Sequence, residues 1–305
     1  MSEKLPPDPR LTEQRNPATT EIDRLSALEI VRVINDEDHR IAPAVATQLE
    51  QIAHAVELAE ASFRAGGRLI YVGAGTSGRL GVLDASEMPP TYGTDPGMVR
   101  GVIAGGDHAL RNAVEGAEDS REDGGAAADA LEVGPKDFVV GIAASGSTPY
   151  VHGALTRAAQ RGARTGLVLC TTPDEWMIAV YDVVIAPLVG PEVVTGSTRM
   201  KAGTATKLVL NTISTAAMIR MGKVFGNLMV DVRATNQKLR DRSERMLMEM
   251  LDVDRDQALD LLARSNGSVK TGIVMHWTGT EREEATRILL RAGGNLGGVL
   301  RVTQP

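Results

Sequence analysis

The sequence predicts an α/β fold in which one parallel β-sheet lies between two layers of helices, a three-layer αβα sandwich. Two observations lead to this prediction. Short apolar segments with the length of buried strands alternate with helical segments through the middle of the chain. Glycine and hydroxyl residues follow two of these strands, at the edge where parallel sheets bind their ligands. We expect helices before the sheet and a small three-helix unit after it.

The composition is that of a soluble globular protein. The 305 residues are 43% hydrophobic and 24% charged, and a formal net charge of −6 provides no positive field for nucleic acid. The N-terminus lacks an apolar signal segment and no apolar run has the length of a membrane span, so we expect a cytoplasmic protein without membrane partners. The single cysteine, Cys170, ends an apolar run and is expected to be buried. The five histidines are too scattered to predict a metal site.

The N-terminal region is predicted to be an extended arm followed by two helices. Residues 1 to about 20 are polar and contain prolines. Thr19 or Thr20 is expected to cap a first helix through residues 25–38, where apolar residues recur at helical spacing. A second helix is predicted over residues 45–63. These helices can pack on the sheet or on a second copy of the chain.

Five segments have the character of strands. Their apolar, β-branched sequences are typical of strands that a parallel sheet buries on both faces. Helical segments between most of them provide the crossovers that parallel strands require. The strand candidates are residues 68–73, 98–105, 137–144, 165–171 and 183–189.

A long helix is predicted after the last strand, from Arg199 to about Gly222, with Ser197 or Thr198 as its cap. Its interior is apolar on most sides, which is typical of a helix buried in a core or against a second copy. A homodimer is the simplest explanation.

The C-terminal segment is predicted to form three short helices. Asp254 caps the first, Thr280 with Glu283 forms a capping box for the third, and Gly293 and Gly294 end it. The predicted organisation is an N-terminal arm with helices, a sheet domain, a connecting segment and the three-helix unit, over residues 1–58, 59–222, 223–252 and 253–305.

The first glycine-rich loop, Gly73–Gly78, follows a strand and begins a helix. Glycine allows close approach of the backbone, N–H groups at a helix start favour negative charge, and hydroxyls add donors, so Gly75, Thr76 and Ser77 predict a phosphate site. The loop also matches the beginning of the dinucleotide fingerprint. The acidic residue after the next strand, Asp107, lies well beyond the usual spacing of about 20 residues, which favours a sugar phosphate over a dinucleotide.

A second hydroxyl loop contains Ser145, Ser147 and Thr148, and it follows the third strand candidate. With Pro149 next in the chain, this sequence is also typical of an ordinary helix N-cap. The two interpretations are compatible, because the spare N–H groups of such a cap are also phosphate donors. Both loops leave carboxyl ends of strands, so we predict that they converge on one phosphate.

Two glutamates are candidates for chemistry. Glu87 precedes Pro89 and Pro90, where the helix is expected to end, and by itself it reads as a solvated loop carboxylate. Glu118 flanks an apolar stripe at helical spacing and is therefore expected to face inward, although a structural ion pair with Arg121 is an equally good explanation. The stripe consists of Leu110, Ala113, Val114 and Ala117.

Several long phrases resemble the N-acetylmuramic acid 6-phosphate etherase family, bacterial enzymes of cell-wall sugar recycling. The resemblance runs from about residue 16 to the C-terminus and is far more specific than a lone glycine motif. It implies a sugar isomerase (SIS) domain, a homodimer, and cleavage of the D-lactyl ether of N-acetylmuramic acid 6-phosphate to N-acetylglucosamine 6-phosphate and D-lactate. We expect no cofactor. The phrases are EIDRLSALEIVRVINDED, LIYVGAGTSGRLGVLDASEMPPTYG, AVEGAEDSRED, VVGIAASGSTPYV, VVTGSTRMKAGTATKLVLN and GKVFGNLMVDV.

By this resemblance, Glu87 takes the family's acid position and Glu118 the other catalytic position, which we interpret as the base. Ser147 stands where a relative has arginine. Arg199 and Lys201 are candidate partners for the lactyl carboxylate, or else solvated or intersubunit cations. The C-terminal helices resemble a ubiquitin-associated three-helix unit.

Two other functions remain open from the sequence. A regulatory protein can bind a phosphosugar in a SIS domain without converting it, and an aldose–ketose phosphosugar isomerase removes the same C2 proton. This chain has a single set of loops and both glutamates, which favours the etherase.

Overall fold

The structure is a computed structural model that describes residues 8–231 and 237–303. By its internal contacts the chain divides into two compact units. We call them the sheet unit, residues up to Ser86 together with Gly97–Ser214, and the C-terminal unit, Glu87–Pro96 together with residues from Thr215 onward. Among the described residues, no helix combines the length and the apolar composition needed to cross a membrane.

A five-stranded parallel sheet forms the centre of the sheet unit, which confirms the predicted fold class. All five strand candidates are strands, and they lie in the order β2-β1-β3-β4-β5. The most deeply buried residues of the sheet, such as Ile70, Val139 and Leu167, are apolar. The strands are β1 (Leu69–Gly73), β2 (Val99–Ile103), β3 (Phe138–Ile142), β4 (Arg164–Val168) and β5 (Val183–Ile185).

Nine helices accompany the sheet and its preceding segment within the described residues. Three short 3-10 turns, at Leu11–Glu13, Pro17–Thr19 and Ile22–Arg24, precede them in the arm. The helices are α1 (Ala27–Asp38), α2 (Ile41–Ala46), α3 (Leu49–Arg64), α4 (Gly75–Tyr92), α5 (His108–Arg111), α6 (Arg121–Ala130), α7 (Pro149–Gln160), α8 (Glu175–Val180) and α9 (Lys201–Arg220).

The first helices differ from the prediction. Ser26, rather than Thr19 or Thr20, caps α1, because its hydroxyl and the Glu29 carboxylate form a reciprocal capping box. The Thr19 hydroxyl instead donates to the carbonyl of Val193 at 2.9 Å. The predicted helix over 45–63 is broken between α2 and α3.

At the break, the side chain of Gln48 makes a hydrogen bond to a distant part of the chain. Its side-chain carbonyl accepts the N–H of Ala186 just after β5, at 2.9 Å, and Gln48 itself has a non-helical backbone conformation. The side chain therefore ties the start of α3 to the edge strand.

The later helices also show where local patterns are insufficient. Helix α4 continues through Pro89 and Pro90 to Tyr92. The fixed φ of proline is compatible with a helix, but the two prolines have no N–H to donate to the carbonyls of Ala85 and Ser86. Neither Ser197 nor Thr198 caps α9. The carboxylate of Glu192 accepts the first N–H groups of α9, at 3.1 Å and 3.0 Å.

The C-terminal unit has its own apolar core, which includes Leu247, Ile273 and Val299. Asp254 caps its helix with a capping box, as predicted, but the hydroxyl of Thr280 pairs with Thr278 and no side chain caps the helix that follows. A fourth helix in the segment 253–305 was not predicted. The elements are β6 (Val224–Phe225), β7 (Leu228–Met229), α10 (Gln237–Leu251), α11 (Arg255–Arg264), α12 (Val269–Thr278), α13 (Arg282–Arg291) and α14 (Leu296–Thr303).

Candidate active site

The two hydroxyl loops leave neighbouring strands at the same edge of the sheet. Strands β1 and β3 pair in parallel, and Gly73 at the end of β1 lies opposite Ile142 at the end of β3. Neighbouring strands are about 4.8 Å apart, so the two loops begin side by side. In this strand order the chain turns to opposite sides after β1, and a doubly wound sheet binds ligands at that position.

The first loop turns tightly into α4. Gly75 has φ of +52°, which glycine adopts without strain, and a Cβ on Gly78 would lie 2.6 Å from the side chain of Ile103 and 2.8 Å from the carbonyl oxygen of Gly73. Thr76 and Ser77 lie half-buried in the first turn of α4. Within the described chain, the N–H groups of Gly75, Thr76 and Ser77 have no hydrogen-bond acceptor, as is usual at a helix start. They are available to an anion.

The second loop presents three hydroxyl groups at the start of α7. The Ser145 and Ser147 hydroxyls are 3.0 Å apart, and between them Gly146 has φ of +74°. Thr148 occupies the N-cap position with Pro149 after it, yet in the structure as described its hydroxyl makes no capping bond. The loop therefore has the backbone conformation of a helix cap, but its hydroxyl groups do not cap the helix and can donate to a ligand.

A buried histidine is hydrogen-bonded to the backbone of the second loop. His152 Nε2 lies 2.8 Å from the carbonyl oxygen of Gly146, and Nδ1 lies 2.7 Å from the hydroxyl of Tyr181. Burial lowers the pKa of His152, so the ring is neutral near pH 7. Because a carbonyl only accepts, Nε2 carries the proton and Nδ1 accepts from Tyr181, whose pKa burial raises to about 12.

Glu118 lies beside the first loop, and its backbone is bonded to the helix that follows the second loop. It lines a cavity of about 150 Å³ together with Gly75 at the start of α4. Its backbone carbonyl accepts the N–H of Tyr150 in the first turn of α7, at 3.0 Å. The predicted helical stripe is nevertheless wrong, because α5 ends at Arg111 and residues 112–120 form a loop. Glu115, which the stripe placed farther round, lines the cavity as well.

Arg79 on α4 holds the segment that leads to Glu118. Its guanidinium donates to the carbonyls of Leu110 at 2.9 Å and Ala109 at 2.7 Å, and it lines the same cavity.

Two larger clefts, of about 490 Å³ beside β5 and about 710 Å³ in the C-terminal unit, are lined by no residue of the two hydroxyl loops.

Glu87 is exposed on α4, twelve residues after Gly75. The boundary between the two compact units falls immediately before Glu87, which belongs to the C-terminal unit.

Lys201 is not a surface cation: its side chain is 1% exposed and forms an ion pair with Glu37. Lys201 is therefore not free to bind a substrate carboxylate, whereas Arg199 is exposed.

The five-stranded parallel sheet with flanking helices and the paired hydroxyl loops at one edge are those of a SIS-domain protein. In agreement, residues 40–159 match the family model of the glucokinase regulatory protein N-terminal SIS domain.

Full-length relatives define the family more narrowly. Proteins named N-acetylmuramic acid 6-phosphate etherase are 53% identical in Synechococcus elongatus, over 94% of this chain and 93% of that protein, and 54% identical in Edwardsiella ictaluri, over 94% and 95%. The namesake in Mycolicibacterium smegmatis is 53% identical over 93% of this chain and 95% of its own length. The chain belongs to the N-acetylmuramic acid 6-phosphate etherase family.

Proposed function

We propose that this chain cleaves the D-lactyl ether of N-acetylmuramic acid 6-phosphate, giving N-acetylglucosamine 6-phosphate and D-lactate, and so serves the recycling of peptidoglycan sugars. Identity above 50% along almost the whole chain supports the reaction. The structural observation that carries the proposal is the position of Glu118. It lines a cavity with Gly75 of the first loop, and its backbone is bonded to the first turn of α7 after the second loop.

The two loops supply the phosphate site. Gly75, Thr76 and Ser77 offer N–H groups and hydroxyls at the start of α4, and the second loop leaves the same edge of the sheet. The hydroxyl residues of the second loop are Ser145, Ser147 and Thr148.

The reaction is an elimination followed by an addition of water. In the open-chain sugar the C1 aldehyde acidifies the C2 proton, and the Glu118 carboxylate removes it. The electron pair forms the C2–C3 double bond, the C3–O bond breaks, and the carboxylic acid of Glu87 protonates the departing lactate oxygen. Water then adds at C3, with Glu87 taking a proton from the water and Glu118 returning one to C2. Each positioned proton transfer contributes about 10²-fold to 10⁴-fold to the rate.

Lactate release tests the proposal. We expect the wild-type chain to release D-lactate from N-acetylmuramic acid 6-phosphate and to incorporate solvent deuterium at C2 of the product. Glu87→Gln and Glu118→Gln should abolish release without unfolding the protein. Glu115→Gln is the matched control, because Glu115 lines the same cavity and has no assigned role.

The contrary outcomes are distinct. Binding of the substrate without lactate would favour a regulatory protein, and a ketose product would favour an isomerase. Loss of activity in Glu115→Gln with retention in Glu118→Gln would transfer the role of base to Glu115.

We also propose that the enzyme is a homodimer and that Glu87 acts in the site of the second copy. The twelve residues from Gly75 to Glu87 correspond to a rise of about 18 Å in a regular α-helix, which exceeds the length of one sugar phosphate. Leu83, one turn before Glu87, is 48% exposed, and on α1 Leu28 and Val31 are about 60% exposed. We infer that these apolar side chains belong to the surface that the second copy covers.

Mixing the two inactive variants tests this arrangement. If each site takes Glu118 from one copy and Glu87 from the other, a Glu87→Gln and Glu118→Gln heterodimer contains one intact site. Random reassociation would then restore about a quarter of wild-type activity. No recovery in heterodimers isolated through two different affinity tags, one on each variant, would place both glutamates in one copy while leaving the reaction itself intact. Since a phosphorylated sugar does not cross membranes unaided, we propose that the enzyme works in the cytoplasm.

A further inference from the structure

The N-terminal arm, residues 8–24, runs along the ligand-binding edge of the sheet. The backbone N–H of Leu11 donates to the hydroxyl of Thr171, after β4, at 3.1 Å. The hydroxyl of Thr19 donates to the carbonyl of Val193, after β5, at 2.9 Å. The arm thus lies over the loops that follow the carboxyl ends of the strands, next to the hydroxyl loop after β3.

A buried polar network fixes the arm in this position. The Asn16 side chain is 5% exposed, and its amide donates to the Glu37 carboxylate at 2.8 Å and to the carbonyl of Pro191 at 3.3 Å. The same carboxylate pairs with Lys201 at the start of α9. Buried partners of this kind hold a segment in one arrangement, because a displaced Asn16 would leave a buried charge less well satisfied.

The arm delivers a cation to the second hydroxyl loop. The Nη1 of Arg10 donates to the hydroxyl oxygen of Ser147 at 2.9 Å. The opposite edge of the guanidinium is held by the Asp8 carboxylate, with Nε at 2.9 Å and 3.1 Å from its two oxygens and Nη2 in close contact with it. Asp8 therefore fixes the plane of the guanidinium, and the Arg10 side chain remains 39% exposed.

A phosphate at this edge needs such a cation. The chain carries a net charge of −6, and the cavity beside the first loop contains two carboxylates, Glu115 and Glu118. The guanidinium of Arg79 in that cavity is engaged by the carbonyls of Ala109 and Leu110. The single positive charge of Arg79 does not balance two carboxylates and a sugar phosphate dianion, so a second cation would favour binding of the phosphate.

We propose that Arg10 is a phosphate-binding residue for the substrate, supplied to the site by the N-terminal arm. This inference rests on the proposed function. When the substrate binds, Nη1 of Arg10 exchanges the Ser147 hydroxyl for a phosphate oxygen, and the released Ser147 hydroxyl becomes a second donor to the same phosphate. Guanidinium–phosphate hydrogen bonds are charge-assisted and directional, so this exchange favours the bound state.

Steady-state kinetics of the full chain test this role. Arg10→Ala should raise KM for N-acetylmuramic acid 6-phosphate by about 10-fold to 100-fold, because one charged hydrogen-bond donor is lost, while kcat changes by less than about 3-fold. Arg10→Lys should recover part of the affinity. Competitive inhibition by inorganic phosphate should weaken by a similar factor. Arg24→Ala is the matched control, since Arg24 lies on the same arm and, among the described residues, forms its ion pair with the exposed Glu21.

A merely structural role for Arg10 predicts a different pattern. In that case the free Arg10→Ala protein would unfold at a lower temperature, kcat would fall with KM, and inorganic phosphate would inhibit as before. That result, or an unchanged KM, would overturn the inference. Should the wild type release no lactate, thermal stabilisation by N-acetylglucosamine 6-phosphate still decides: stabilisation of wild type and Arg10→Ala alike would refute the role of Arg10, and stabilisation of the wild type alone would support it.

Discussion

Gly124 on α6 offers the sharpest test of how Glu118 is positioned. A Cβ on Gly124 would lie 1.9 Å from the carbonyl oxygen of Tyr150 on α7, and Cβ atoms essentially never come closer than 3.0 Å to such a neighbour. Gly124→Ala must therefore separate α6 from α7 by about 1 Å. Overpacking of this kind costs about 1–3 kcal/mol, against which the better helix propensity of alanine returns at most about 1 kcal/mol.

The displacement should also reach the site. The carbonyl of Glu118 is bonded to the N–H of Tyr150, so parting the helices moves Glu118 away from the second loop. A misplacement of about 1 Å can cost about 100-fold in rate, and we expect lactate release by Gly124→Ala to fall by that order. Urea unfolding followed by circular dichroism and a D-lactate assay measure the two effects.

The adjacent glycine is the matched control. A Cβ on Gly125 would meet nothing closer than 3.9 Å, so Gly125→Ala should keep full activity and gain up to about 1 kcal/mol in stability from helix propensity. Equal stability and equal activity in Gly124→Ala and Gly125→Ala would refute the close packing of α6 on α7 as the device that positions Glu118.

Three further predictions concern buried polar groups. Glu37→Gln should lower the free energy of unfolding by about 3–5 kcal/mol, because it leaves the Lys201 ammonium buried without its partner, and the double variant with Lys201→Met should recover much of this loss. Cys170, whose pKa burial raises to about 12, should resist thiol reagents at pH 8 in the native protein and react completely after unfolding. Burial alone would raise the pKa of Asp137, but hydrogen bonds from Arg68 lower it below 3.8. Its stabilisation is therefore present above that pH and is lost as the pH falls through the lowered pKa, so the stability difference between wild type and Asp137→Asn should shrink on acidification.

The strands and the two loops were predictable because their signals are local. An apolar run followed by glycine and hydroxyl residues indicates a strand and a turn without reference to the rest of the chain. All five strands were confirmed for this reason, as was the burial of Cys170.

The helical stripe before Glu118 shows where local signals mislead. Apolar residues at helical spacing also occur by chance in a loop, and Gly116 with φ of +72° cannot continue a helix. Glu118 nevertheless lines the cavity, because its position is set by the bond to Tyr150 and by Arg79, neither of which the spacing reveals.

Long-range partners could not be predicted at all. Lys201 reads as a surface cation until Glu37, 164 positions away, is brought against it. Arg10 and Ser147 are 137 positions apart, and nothing in either neighbourhood indicates the other. His152 has no other histidine near it in the sequence, and only the fold brings its ring into contact with the carbonyl of Gly146. The roles of Glu87 and Glu118 came from the family resemblance, and their assignment as acid and base remains a prediction.

The pairing of β1 with β3 determines when, during folding, the two hydroxyl loops come together. The strand that follows β1 in the chain is β2, so a partly folded chain can pair these two while the other edge of β1 stays open. The two loops become neighbours only when β3 docks, and a phosphosugar can recognise nothing earlier. We therefore expect the ligand to slow unfolding while leaving the early steps of refolding unchanged.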